Sequence, residues 1–263
     1  MKRILSAMRL FGIDPSRMIS APFGLVRVWQ DLKKFRSLQD ISKSYTKFGK
    51  FYPCLEDSGS ESGSASGHYF HQDLNVARRI FSANPRKHVD VASRVDGFVA
   101  HVAVFREIEV FDIRKLTANI KNISFTQCDI MANLPENLLE YCDSISCLHA
   151  LEHFGLGRYG DPLDPNGHLK GLKNLYDALE PGGTLYLAVP IGPHRIEFNA
   201  HRVFGTRNLV EMLSGKFSIE RFSYVDDAGD FFDDVDPLGA GAENNFGCFF
   251  GLGIVEARKL QSS

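Results

Sequence analysis

The sequence predicts an α/β protein: a mostly parallel sheet with helices on both faces, preceded by a basic helical arm. Three observations support this. From residue 87 onward, short runs rich in Val, Ile and Phe alternate with amphipathic stretches, the pattern of a parallel sheet with crossover helices. The last two apolar runs, "FSIERFSYV" and "CFFGLGIVEARK", read as a closing antiparallel pair. The chain has 263 residues, 44% of them hydrophobic and 24% charged, so it can bury one sizeable core and shows no fibrous or disordered bias.

In chain order, residues 1–56 form the arm, read as helical pieces punctuated by "GIDPS" and "APFG". Its start, "MKRILSAMRLFGID", has the basic opening of a signal peptide. Arg9 interrupts the apolar run and no small-residue cleavage site follows, so an amphipathic helix is expected. Residues 57–67 are a Ser/Gly-rich loop that cannot build a core and serves as a linker or a mobile lid. Residues 68–263 are the α/β domain. "HQDLNVARRIFSA" places Leu74, Ala77, Ile80 and Phe81 at helical spacing. Then follow strand "KHVDVAS", helix "GFVAHVAVF", strands "IEVFDI" and "ISFTQCDI", helix "LPENLLEYC", strand "DSISCLHAL" and helix "LKGLKNLYDALE". "PGG" is expected to stop that last helix, before strand "TLYLAVPI" and helix "TRNLVEMLSG". The acidic "VDDAGDFFDDVDPLGAGAENN" reads as an excursion between the last two strands.

Charge is divided unevenly. Residues 1–50 carry 11 Lys/Arg against 3 Asp/Glu, a net +8, while the remainder carries −10. The basic arm is either a solvated helical face or a means of reaching an anionic surface or a second subunit. An acidic main domain is a poor nucleic-acid partner. No run reaches the roughly 18 apolar residues of a membrane span. Five scattered cysteines without a CxxC pair fit a reducing compartment, so a cytoplasmic protein is expected, with peripheral membrane contact through the arm left open.

Right-handed crossovers put the parallel strand ends along one rim, where ligands bind. Three of those ends carry acid: Asp90, Asp112 and Asp129. Asp112 follows Asp90 by 22 residues, the distance at which a carboxylate can accept from a ribose diol. Asp129 could accept from an adenine amino group; for each Asp the plainer alternative is helix capping. The first turn departs from the usual glycine-rich form, with Ala92, Arg94 and Asp96 before Gly97. The absent GxGxxG disfavours a nicotinamide oxidoreductase.

From Lys87 to about Val203 the sequence resembles the class I S-adenosylmethionine-dependent methyltransferases. The residues that carry the resemblance are "HVDVASRVDG", "EVFDI", "CDI", "DSISCLHALEH" and "LYDALEPGGTLYLAVP". More narrowly, the whole chain resembles the DUF268 group, with its degenerate glycine turn and "GHYFHQDL" segment. The resemblance implies a Rossmann-like seven-stranded sheet, six strands parallel and one antiparallel. It implies S-adenosylmethionine contacts at Asp90, Ala92, Gly97, Asp112, Asp129 and Leu148. Arg94, where the family usually has glycine, could fill the space of the cofactor's amino-acid tail, pair with that tail's carboxylate, or bridge to Asp90 or Asp96.

"HALEHFGLGRYG" supplies His149, Glu152 and His153. The glycines that follow exclude the long helix a zinc peptidase needs. Within the methyltransferase resemblance these residues, with His201, are a candidate set for a divalent metal, the alternative being a "LEH" loop without metal. His153 and His201 are the candidate general bases, since histidine titrates near neutral pH. Arg158, Tyr159 and His168, on a long turn-rich loop, and Arg195 beyond the fifth strand are candidate contacts for a hydroxylated or anionic substrate. The function expected is O-methylation of a small polar acceptor, a sugar or glycan. The alternative is a non-catalytic binding protein on the same fold.

Overall fold

The computed structural model describes residues 11–38, 49–55, 58 and 62–261. The expected helix at the very start of the chain, and part of the Ser/Gly-rich loop, lie outside the described residues. The chain divides into two compact units, Met1–Gly63 and Ser64–Ser263.

In the first unit, α1 (Pro15–Leu38) opens with proline, whose fixed φ suits a first helical turn. The expected break at "APFG" does not occur: Pro22 and Gly24 sit inside the helix. Gly24 lies against Leu55, where an added Cβ would meet the Leu55 Cβ at 2.9 Å. Arg27 donates to the Leu55 carbonyl at 3.1 Å, so the helix and the 49–55 segment hold one another.

The second unit begins with α2 (His68–Ala83), then β1 (His88–Val91), a π-type turn at Val95–Val99 and the short α3 (Ala100–Ala103). There follow β2 (Ile108–Asp112), β3 (Ile123–Gln127), β4 (Cys142–Leu148), α4 (Gly167–Ala178), β5 (Leu179–Ile191), β6 (Arg195–Glu197), β7 (His201–Val203), α5 (Thr206–Leu213), β8 (Phe217–Val225), β9 (Phe231–Phe232) and β10 (Gly251–Lys259). The sheet runs β3-β2-β1-β4-β5-β10-β8-β9. The pairs β3–β2–β1–β4–β5 are parallel, and β10 is antiparallel to both β5 and β8. That is the Rossmann-like sheet expected, with one reversed strand wedged into it. The eighth strand, β9, is two residues of the acidic excursion folded back onto the edge of β8.

Two expected elements differ. "LPENLLEYC" makes only a 3-10 turn at Glu136–Leu138, because the Glu140 and Tyr141 amides are taken by the Asp177 and Ala178 carbonyls at the end of α4. "PGG" does not cap α4, which ends earlier, at Ala178. It forms a bulge inside β5, where the register moves from Cys142↔Leu179 to Ser144↔Thr184.

Strand alternation sorts the central strands into two buried faces. Val89, Val91, Ile145 and Cys147 join one core with Leu172, Leu175 and Leu209. On the opposite face α2 supplies Val76 and Ile80 against Phe98, Val102 and Val110. That face also carries a polar row from β1 and β4. His88 bonds Ser144 and Ser146 at 2.8 and 3.2 Å, and the Ser146 hydroxyl donates to Asp90 at 2.6 Å. α2 is pinned to the far half of the sheet by the buried Arg79, which donates to Ser223 at 3.0 Å and Asp233 at 2.8 Å and lies 3.4 Å from Glu256. Chain order reverses direction between β1 and β4, and such a switch point opens a crevice at the strand tips.

Candidate functional site

A partly open cavity lies at that switch point, with about 100 Å³ of enclosed space. Its wall includes Ala92 after β1, Asp112 at the tip of β2, Leu148 at the tip of β4, and His149, His153 and Tyr159 beyond.

The turn after β1 is built by Asp90. Its carboxylate is fully buried and accepts from the Ser93 amide at 3.0 Å, the Ser93 hydroxyl at 2.7 Å and Ser146. Burial pushes Asp90 up to about 6 against the pull of those donors. Asp90 therefore shapes the turn and does not line the cavity, a correction to its expected cofactor contact. Ala92 takes φ 60°, the left-handed region that usually favours glycine, with its amide bonded to the Phe111 carbonyl at 2.8 Å. The degenerate turn thus keeps the backbone course of a glycine turn without the glycine. Gly97 lies outside the cavity wall, but it is where α2 comes closest: a Cβ there would sit 2.8 Å from Asp73 Oδ2. Arg94 pairs with Asp96 through bonds of 3.1 and 2.8 Å and lies 5.4 Å from the Tyr69 ring at the cavity mouth. Of the three expected roles the structure shows the bridge to Asp96, and the cleft is not closed by it.

At the tip of β2, Asp112 is nearly buried and is gripped at both oxygens by Arg114. Nε donates to Oδ1 at 3.0 Å and Nη2 to Oδ2 at 2.6 Å, while the Arg114 amide reaches Oδ1 at 2.7 Å. The same guanidinium stacks 4.5 Å from the Tyr159 ring. A second hollow, lined by Val110, Lys115, Leu116 and Phe125, shares Asp112, Arg114 and Arg94 with the first. The Asp112–Arg114 pair is thus common to both walls. Sequence reasoning missed Arg114, although an arginine two residues beyond a strand-end aspartate is a visible signal. Asp129 lines neither hollow. Its Oδ1 accepts from the Met131 amide at 2.9 Å and closes its own turn.

Beyond β4, His149 also takes a left-handed backbone, φ 53°. Its Nδ1 bonds Glu152 Oε1 at 2.7 Å and its Nε2 bonds His68 Nδ1, from the start of α2, at 3.2 Å. Burial, with His149 alongside, brings His68 down to about 4, so it stays neutral. Glu152 is fully buried; burial favours its neutral form, but the hydrogen bond and charge of His149 outweigh that and hold it below the usual carboxylate range. The other oxygen, Oε2, has no partner. His153 donates from Nδ1 to the Ala200 carbonyl at 2.6 Å, which leaves Nε2 free to accept a proton. Glu152 Oε1 lies 3.6 Å from that nitrogen. Burial lowers the His153 pKa, which keeps the imidazole neutral and ready as a base.

The expected metal set does not assemble. His149 and His153 direct their Nδ1 atoms to Glu152 and to Ala200. His201 instead packs 4.7 Å from Phe250, with Nε2 3.1 Å from Glu197. Among the described residues no three His, Cys, Asp or Glu converge on a common point. Of the two histidines expected as bases, His153 lines the cavity and His201 lies outside it.

Of the expected substrate contacts, Tyr159 lines the cavity, edge-on to His153 at 5.4 Å. Its loop is folded by Asp161, whose carboxylate accepts from the amides of Gly155, Gly157 and Tyr159. Arg158 lies beside Tyr159, 5.2 Å from its ring, and donates to the Ala200 carbonyl. His168 and Arg195 lie elsewhere. His168 packs on Phe204, and burial brings it down to about 4. Arg195 bonds Glu197 and the Pro193 and Phe249 carbonyls, closing the β6–β7 ribbon. Arg202, an arginine suited to anions by type, is buried and donates to the carbonyls of Glu152, Phe154 and Pro165, tying down the "LEH" loop.

A family described as "Caenorhabditis protein of unknown function, DUF268" matches residues 86–232, more than half of the chain. No curated protein matches the sequence. Among solved structures the chain is similar to the 1,6-didemethyltoxoflavin-N1-methyltransferase of Burkholderia thailandensis, solved with 1,6-didemethyltoxoflavin and S-adenosylhomocysteine. Identity is 16% over 72% of this chain and 79% of that one, with TM-score 0.48. It is similar to the N-methyltransferase NodS of Bradyrhizobium japonicum with S-adenosylhomocysteine, at 14% identity over 74% and 89%, TM-score 0.48. A putative methyltransferase of Bacillus halodurans gives 16% over 72% and 99%, TM-score 0.47. Likenesses this distant assign no reaction.

Proposed function

The chain belongs to the DUF268 family, and we propose that it is an S-adenosylmethionine-dependent methyltransferase acting on an oxygen of a small polar acceptor, a sugar or glycan. One observation carries the reading: Ala92, Asp112 and Leu148, from three neighbouring parallel strand tips, share one cavity with a neutral, tautomer-fixed His153. S-adenosylmethionine supplies an electrophilic methyl group when bound. In this reading Asp112 accepts from a ribose diol once Arg114 has swung aside, and the left-handed Ala92 turn lets the backbone approach the ligand. His153 Nε2 takes the acceptor's hydroxyl proton, and the buried Glu152 carboxylate stabilises the imidazolium that results. Tyr159, which lines the cavity, and Arg158 beside it supply polar contacts for the acceptor. The residues do not fit a metal, and no step runs through one. Five free cysteines suit a reducing compartment such as the cytoplasm.

Isothermal titration with S-adenosylmethionine and S-adenosylhomocysteine tests the reading directly. Micromolar binding by the wild type, weakened about tenfold or more in Asp112→Ala, is expected. Methyl transfer to a sugar panel should be lost in His153→Asn with cofactor binding intact. Absence of wild-type binding would remove the proposal. A second reading, a binding protein without turnover, is favoured by the grip of Arg114 on Asp112. Cofactor binding with no transfer to any acceptor, by the wild type and His153→Asn alike, would select it.

A further inference from the structure

We propose that the helical arm docks on an anionic lipid surface. α1 presents Met18, Ile19, Phe23, Leu25, Val26 and Trp29 to solvent, Phe23 at 75% and Trp29 at 53% exposure. At 3.6 residues per turn these six fall in one sector of roughly 160°, while the exposed Phe35 and Leu38 nearer the helix end fall outside it. Isolated exposed apolar residues are ordinary; a contiguous sector along a helix marks a surface that something covers.

Charge selects the occupant. The first 50 residues carry +8 and the remainder −10. The arm is therefore drawn to an anionic layer, while the body is held off it. Lys33 Nζ lies 5.8 Å from the Trp29 ring, so the cation and the aromatic share one side of the helix. Lysines next to exposed apolar side chains favour an anionic headgroup layer over a neutral one. A second copy docked through the same sector would bring two strongly positive arms together. Nucleic acid would satisfy the lysines and leave the apolar sector in water. Among the described residues no helix is long and apolar enough to cross a membrane.

Trp29 is the only tryptophan of the chain, so its emission reports this sector alone. The test uses the full chain with vesicles of phosphatidylcholine, alone or mixed with phosphatidylserine. Expected are a blue-shifted Trp29 emission and cosedimentation at least about tenfold stronger with phosphatidylserine, falling with salt. Lys33→Gln with Lys34→Gln should reduce that preference about thirtyfold. Phe23→Ser with Val26→Ser should abolish the emission shift while far-UV circular dichroism and thermal melting of the α/β unit stay unchanged. Equal binding to both vesicle types, or no emission shift with either, overturns the proposal. So does a shift that grows with protein concentration in the absence of lipid, which assigns the sector to a second copy.

Discussion

Arg114→Met should tighten binding of S-adenosylhomocysteine. In the structure Arg114 closes both oxygens of Asp112, the carboxylate proposed to hold a ribose diol, with bonds of 3.0 and 2.6 Å. A nucleoside must displace that guanidinium before it can use Asp112. The Asp112 side chain is 10% exposed but that of Arg114 is 50% exposed, so solvent screens the pair. A bidentate pair in that setting is worth about 1 kcal/mol. Removing the competitor returns that amount to the ligand, about a fivefold gain in affinity. Methionine keeps the length of the side chain and its contact with Tyr159, and the Arg114 amide still bonds Oδ1, so the turn should hold. Isothermal titration at low and moderate salt measures the effect, and the wild type should gain on the variant as salt weakens its ion pair. Loss of affinity on substitution would show that Arg114 holds the ligand instead of excluding it. Unchanged affinity would show that the ligand does not use Asp112. Either result refutes the competition.

Gly97→Ala should destabilise the second unit by about 1–3 kcal/mol in chemical denaturation, because the new Cβ meets Asp73 Oδ2 at 2.8 Å. Asp73 is buried and tethered by Gln72, so it cannot simply move aside; Asp73→Ser in the same chain should restore part of the loss. Asp90 and His88 should tilt the pH–stability curve in opposite senses. Burial raises Asp90 to about 6, so the folded state holds that proton more tightly, and its contribution is lost as pH rises from about 4 to about 6. Burial depresses His88 to about 3, so the unfolded state binds the proton more tightly, and stability falls as pH drops from about 6.5 toward 3. Asp90→Asn removes the first slope, and thermal melting between pH 4 and 7 should then show a steeper loss on acidification than the wild type. Arg79→Met should cost about 2 kcal/mol. It leaves Glu256, Asp233 and Ser223 without their shared donor, although Asp233 is partly solvated. A melting curve unchanged from wild type would show that α2 is not held by that arginine.

The alternation of apolar runs determined the sheet, the helices on its two faces and the rim on which a ligand site must lie. These follow from local periodicity and from the handedness of crossovers, both properties of a linear pattern. The same pattern placed Asp112 at that rim, and the family resemblance pointed to Ala92 and Leu148. Local pattern failed where distant backbone took over: the Asp177 and Ala178 carbonyls captured "LPENLLEYC", and the bulge against Ser144 absorbed "PGG" into β5. Side-chain direction and partner choice were decided only in three dimensions. Asp90, Asp129, His201, His168 and Arg195 have the right chemistry, but each is engaged by a nearby amide, hydroxyl, carboxylate, carbonyl or ring. Arg114 acquired its importance from a register that sets it over Asp112 and against Tyr159. A residue's type states what it can bond to; only the packed chain decides which of the possible partners reaches it first.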